Sequence, residues 1–402
     1  MVLIGAGKEH KHCHTPTPTL EPGVARAAVP THTPAPTSAA TQIPTAANTP
    51  IPTNTPRVVV VPITSNSAMA THTPAPTHTP VPETESIASI SPHLRHLEEK
   101  QYMLELINEA RENAGVPLIE LGDNNAAQLH VESALENCFF SHWGIDGLKP
   151  YMRYSLAGGY QSNGENGSGG LCVKPSDGFA PLRSARWGVE RAMRGLMDSS
   201  AHRGNILHKY HKKVNIGIAY DRYNIEIAQH FEGDYVEYDD LPAIVSGMFS
   251  FSGKTKNGVR FGEKDDMGVE LYYDPPPHTL THDDIAHTYA YCYGLKVAAF
   301  LKPIPKGWNY PTDKFDSNYE SCPGDPYGTT YENVKGDYVV AKTWISDDTS
   351  FGLDADISKV LQNYGSGVYT ILVWGDIDGE RAVISEYSIF HGITPPDTYT
   401  PR

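Results

Sequence analysis

No run of about 18 apolar residues occurs anywhere in this 402-residue chain, so no segment reads as a membrane-spanning helix. Paired cysteines are lacking too. Cys13, Cys138, Cys172, Cys292 and Cys322 stand far apart, and without a Cys-x-x-Cys pair neither a zinc ribbon nor a thioredoxin-type motif can form. Positive charge is scarce: 32 Lys and Arg face 47 Asp and Glu, a formal net charge of -15, which argues against a nucleic-acid partner because such a surface needs a basic stripe. Three catalytic signatures are also missing, namely the Gly-x-Ser-x-Gly elbow, the His-Glu-x-x-His helix and a cysteine beside a candidate base. Met1 to Lys8 has too short an apolar stretch, and no preceding basic region, for a signal peptide; Cys13, after Lys11-His12, lacks the small apolar setting of a lipoprotein cysteine.

Aromatic residues are absent over one long stretch. From about His14 to Ser91 there is no Phe, Trp or Tyr, Thr-Pro units recur, and the seven residues from Thr31 are repeated identically from Thr71. Proline fixes φ, removes a donor and restricts the residue before it, so residues 1–91 read as a disordered Thr/Pro-rich stalk that cannot bury a core. Fully extended at about 3.1 Å per residue, such a segment reaches on the order of 200 Å. Stalks of this composition hold a domain away from a cell surface and offer threonines for glycosylation, which points to an extracellular or cell-surface location; an intracellular linker is the alternative. Nothing in this scheme explains the apolar patch Val58-Val59-Val60-Val61. The simplest reading of the cysteines is two disulfides, Cys138 with Cys172 and Cys292 with Cys322, in an oxidising compartment, four buried thiols being the alternative.

What is present begins near Pro92. Leu97, Met103, Leu104, Ile107 and Ala110 recur at helical spacing and Gly115-Val116-Pro117 stops them, which predicts a helix over 93–114. Asp123 can cap a second helix reaching about Asn137, and a third is expected from about Pro181 to Met197. The Gly-rich stretch Leu156 to Gly170 between them reads as a cleft-lining loop, too irregular for an element. Two alternating runs, Asn215 to Tyr220 and Ile225 to Phe231, predict a β-hairpin and give an α+β domain over 92–240. From 241 to 402 the pattern becomes β-rich: Ile244 to Ser252, Gly268 to Tyr273, Tyr289 to Phe300, Asp337 to Trp344, Gly367 to Trp374 and Arg381 to Phe390 suggest a β-sandwich. Asp376-Ile377-Asp378-Gly379 has part of a calcium loop, but no distal Glu completes it and a turn requires the same residues.

Four short motifs carry chemistry: Ser141-His142-Trp143-Gly144, Gly164-Glu165-Asn166-Gly167, Trp187-Gly188-Val189-Glu190, and His202-Arg203-Gly204-Asn205-Ile206-Leu207 on a Gly-containing turn before the first strand of the hairpin. Each has an ordinary explanation. His142 can be a core histidine and Glu165 a solvated turn residue; Glu190 can pair with Arg186 and Arg194 four residues away, and His208 and His211 are rivals to His202. Taken together in this order, the motifs resemble those of the CAP superfamily, the cysteine-rich secretory, antigen 5 and pathogenesis-related-1 proteins, over residues 95–239. That resemblance implies an α-β-α sandwich whose central cleft gathers His142, Glu165, Glu190 and His202, with Asn166, Trp187 and Asn205 in support. Two imidazoles, His142 and His202, facing one cavity can bind zinc or another divalent cation while carboxylates orient the rings. The expectation is therefore a secreted or surface-displayed, non-enzymatic binding protein for a small ligand, lipid or peptide, or for a cell-envelope component. A metal-dependent hydrolase using the same cleft is the alternative.

Overall fold

Val214, Ile216 and Ile218 alternate with Asn215, Gly217 and Ala219, and this period of two makes the strand β3 (Lys213–Tyr220) that anchors the first half of the fold. Asp221 closes the hairpin. Its Oδ1 accepts the N–H groups of Tyr223 and Asn224 at 2.6 and 2.7 Å, and β4 (Ile225–Glu232) returns antiparallel with Val214 opposite Phe231. The computed structural model describes residues 90–170, 172–262, 268–288, 290–317, 325–326 and 334–399, all within one compact unit. The stalk expected over 1–91 lies almost wholly outside the described residues, as do Cys13 and Cys322.

Two further strands complete the first sheet. β1 (Glu120–Leu121) runs parallel to β3, and β2 (Asn163–Ser168) pairs antiparallel with the free side of β4, in the order β1-β3-β4-β2. Helices cover both faces. α1 (Leu97–Asn113), α4 (Ala185–Asp198) and α5 (Ser200–Ile206) set Met103, Ile107, Val189, Leu196 and Ile206 against Val214, Ile218, Ile227 and Phe231. On the other face α2 (Ala126–Glu136) packs Ala127 and Val131 on Ala219 and Ala228, and α3 (Pro150–Leu156) stacks Tyr154 on His230.

The second half holds two sheets that share one core. β5 (Val236–Val245) and β6 (Met248–Thr255) form a hairpin through Ser246 and Gly247, both at positive φ, and join β12 (Thr343–Ser346) and β13 (Ser350–Asp356) in the order β12-β13-β6-β5. The larger sheet contains β7 (Arg260–Phe261), β8 (Val269–Asp274), β9 (Leu295–Leu301), β10 (Lys314–Ser317), β11 (Val334–Val340), β14 (Gly367–Ile377) and β15 (Glu380–His391). Its order is β10-β11-β9-β8-β14-β15, with β7 on β14. Phe249, Phe251 and Leu353 from one sheet meet Val269, Leu271, Phe300 and Ile371 from the other. α6 (His282–Ala286) and α7 (Ser358–Tyr364) complete the α-helices among the described residues.

Several expectations are corrected by these elements; the run Asp337 to Trp344, for one, is divided at Ala341-Lys342 between β11 and β12, which belong to different sheets. The run Ile244 to Ser252 is not one strand, because the Ser246-Gly247 turn divides it between β5 and β6; β5 itself passes through Asp240-Leu241, where the composition changes. The glycine-rich stretch expected as a loop contains β2, whose hydrogen bonds to β4 outweigh the low strand propensity of Gly164 and Gly167. His202 stands not on a turn but in α5. Asp378 and Gly379, both at positive φ, make the two-residue turn between β14 and β15, and Asp376 Oδ1 accepts the N–H of Gly379 at 2.7 Å. Among the described residues no helix is long and apolar enough to cross a membrane.

Candidate functional site

Adjacent residues of a strand point to opposite faces of its sheet, and β2 uses this to separate the residues singled out in the sequence. Glu165, opposite His230, faces α2 and α3; Asn166, opposite Gln229, faces α4 and α5. On the first face Glu165 Oε1 accepts from His142 Nδ1 at 3.0 Å. Arg153 Nη2 reaches both carboxylate oxygens, at 3.3 and 3.0 Å, and His230 Nδ1 lies 3.6 Å from Oε2. Arg153 is fully buried, and its Nη1 donates to the carbonyls of His142 and Leu148 at 2.8 and 2.9 Å. One guanidinium thus orders the carboxylate and the loop that delivers the histidine.

Burial is the largest influence on Glu165 and would raise its pKa, but it is outweighed by the Arg153 charge, the hydrogen bond from His142 and the nearby His230 ring. The group sits well below the ordinary carboxylate range and is ionised. An ionised carboxylate only accepts, so in the neutral ring of His142 the proton is on Nδ1 and the lone pair on Nε2. The ring is 12% exposed, and Ser141 Oγ fixes the loop by accepting the N–H of Trp143 at 3.0 Å.

The second half of the chain closes over this pair. Tyr291 accepts the N–H of Glu165 at 3.1 Å and sets its ring edge-on to His142 with centroids 5.1 Å apart. Trp143 Nε1 donates to the Ala290 carbonyl at 2.9 Å, and Ser141 shares its hydroxyl with that of Thr288. Nearby, Lys149 and Tyr151 both bond to the buried carboxylate of Asp274, at 2.7 and 2.9 Å. Behind Glu165 is a cavity of about 10 Å³, room for one water, lined by His130, Ser141, Gly167 and Glu226 among others. Burial pushes the His130 ring down to about 3 and the Glu226 carboxyl up to about 8, so both are neutral at pH 7.

The opposite face carries the other half of the expected set. Asn166 Nδ2 donates to the His202 carbonyl at 3.1 Å, and Asn205 Nδ2 donates to Asn166 Oδ1 at 3.1 Å, tying α5 to β2. Asn205 Oδ1 also meets His211 Nε2 at 2.8 Å. Glu190 accepts from Tyr102 Oη at 2.8 Å, and Trp187 is half-buried between Arg183 and Arg191. The structure therefore brings His142 and Glu165 together, whereas His202 and Glu190 are carried by helices across β2. Arg153, His230 and Tyr291 join the site without having been singled out in the sequence.

The cysteine pairing bears on the same region. Cys138, just past α2, is bonded to Cys172, just past β2, with Cα atoms 5.0 Å apart, as expected. The expected partner of Cys292, Cys322, is outside the described residues. Among the described residues no three His, Cys, Asp or Glu side chains are placed to hold a metal ion. The donor set therefore does not fit a closed zinc site or one with three protein ligands, and a cation here would be held by histidine and water.

No family model matches the chain, and no curated protein matches it. A solved extracellular protein containing an SCP domain, from Bacillus anthracis str. Ames, is similar over 34% of this chain and 41% of its own, with 21% identity and a TM-score of 0.28. An outer surface protein of Borrelia burgdorferi is similar over 34% of this chain and 92% of its own, with 16% identity and a TM-score of 0.26. This chain spans about two fifths of the Bacillus structure.

Proposed function

We propose that the folded part is an extracellular CAP-type binding unit, an α-β-α sandwich backed by a β-sandwich, that acts without catalysis. The observation that carries this reading is the oriented His142: a buried, ionised Glu165 holds Nδ1, and Nε2 is the atom left to meet a ligand. A small lipid or peptide would offer its polar group to Nε2 while Tyr291, edge-on to His142, supplies apolar contact. A divalent cation such as zinc would be held by His142 Nε2 and otherwise by water, since His202 lies across β2, and it would supply a Lewis-acidic contact for the ligand. The disulfide between Cys138 and Cys172 supports an oxidising compartment.

Calorimetric titration of zinc into the full chain tests the site. His142→Ala should abolish binding and His202→Ala, on the opposite face, should leave it unchanged, while Glu165→Gln should weaken it about 10-fold or more because the ring loses its orienting partner. Zinc affinity unchanged in His142→Ala and Glu165→Gln would remove the reading.

A further inference from the structure

On a chain of net charge -15, the outer face of α4 is an exception. Arg183, just before its first turn, and Arg186, Arg191 and Arg194 within it are all exposed, and among the described residues none of the four forms an ion pair. The pairs with Glu190 expected from helical spacing are not made; Glu190 is taken by Tyr102 instead. Three of the four guanidinium groups, those of Arg183, Arg186 and Arg191, are nevertheless held by aromatic rings. Arg183 and Arg191 lie over Trp187, 5.7 and 5.4 Å from its centroid, and Arg186 lies over Tyr102 at 3.4 Å. Stacking of this kind fixes the plane of the fork and leaves its N–H edges for an anion. Arg222 adjoins the row, since its carbonyl accepts the N–H of Leu182 at 2.8 Å, and it too is exposed, over Tyr223.

We propose that this stripe binds a linear carboxylated polysaccharide, a polyuronate chain. Planar carboxylates match the guanidinium fork bidentately, and within α4 the row extends about 12 Å from Arg186 to Arg194 at 1.5 Å per residue, with Arg183 just beyond its start. Its shape selects a single strand. α1, which packs alongside through Tyr102, has Glu98, Glu105 and Glu109 at exposed positions, so a flat anionic membrane pressed on the row would meet carboxylates at its border. A single-stranded nucleic acid binds by stacking bases on free aromatic faces, whereas Trp187 and Tyr102 already carry arginines. The stripe lies across the sheet from His142 and does not depend on the ligand proposed there.

Fluorescence anisotropy of labelled polygalacturonate oligomers with the full chain tests the proposal. Micromolar binding that weakens as salt is raised is expected. Exposed ion pairs are worth about two- to five-fold each, so Arg186→Ala with Arg194→Ala should weaken binding roughly 10-fold, and adding Arg183→Ala and Arg191→Ala should abolish it. Replacing all four by lysine keeps the charge but should also weaken binding. Thermal unfolding of each variant checks that the fold is kept. The proposal is overturned by absence of polyuronate binding, by undiminished binding in the quadruple alanine variant, or by equal affinity for a neutral oligosaccharide, a DNA oligonucleotide or phosphatidylglycerol vesicles.

Discussion

A carboxylate as buried as Glu165 remains ionised only because Arg153 is buried with it, each side chain being nearly inaccessible. Arg153→Met should therefore cost about 3–5 kcal/mol by leaving an uncompensated buried charge, as measured by urea unfolding. Adding Glu165→Gln to Arg153→Met should recover part of that loss, since the stranded charge goes too. The pH dependence follows from the lowered pKa: the stability contributed by Glu165 is full above its unfolded value of 4.5 and is lost as pH falls through the lower folded value. Glu165→Gln should accordingly unfold less steeply in acid than the parent. His142 and Glu165 were legible in the sequence only through the order of four short motifs, each of which alone had an ordinary explanation. Arg153 was not, since Tyr151-Met152-Arg153-Tyr154 offers no local reason for a charge, and its partners are assembled only by the tertiary fold.

Among elements, the hairpin β3–β4 and the helices α1 and α4 were legible from their apolar periods, whereas α2 was expected from a cap at Asp123 and begins instead after Asn125. β2 was hidden by its glycines, and α5 was taken for a turn because Gly204 lies in its middle. Two substitutions separate these cases. At Gly204 a methyl group would meet nothing within 4 Å, so Gly204→Ala should stabilise the protein by about 0.5–1 kcal/mol through helix propensity; a loss of thermal stability would contradict a helical Gly204. At Gly217 the same methyl would lie 2.2 Å from the Ala127 carbonyl oxygen, a backbone atom of α2 that cannot step aside. Gly217→Ala should therefore destabilise by about 1–3 kcal/mol, the range for overpacking.

On the scale of the whole molecule, the two halves are joined by polar groups that neither could bury alone. Ser385 Oγ donates to the Tyr160 carbonyl at 2.6 Å, the N–H of Ser388 reaches Ser155 Oγ at 3.0 Å, and Lys149 meets Asp274. None of this was legible, because long-range pairing between separate runs leaves no periodic mark on the chain. The same burial leaves two carboxyl groups neutral: burial raises Glu226 to about 8 and Glu386 to about 8, the latter with a Tyr293 hydroxyl donating to it at 2.9 Å.

A group whose folded pKa is raised contributes stability that is full below its unfolded value, 4.5 here, and is lost as pH rises through about 8. His130, pushed down to about 3 by burial, acts in the opposite sense up to its unfolded value of 6.5, so the slope of the parent mixes both. A comparison of variant with parent cancels His130. Glu226→Gln keeps a neutral side chain at all pH, and relative to the parent it should gain up to about 1.4 kcal/mol for each pH unit between about pH 5 and 7. Glu386→Gln should behave alike. Urea midpoints at the two ends of that window decide the matter: a constant difference between Glu226→Gln and the parent would mean that Glu226 is ionised in the folded protein, and that the cavity beside His130 admits enough water to solvate it.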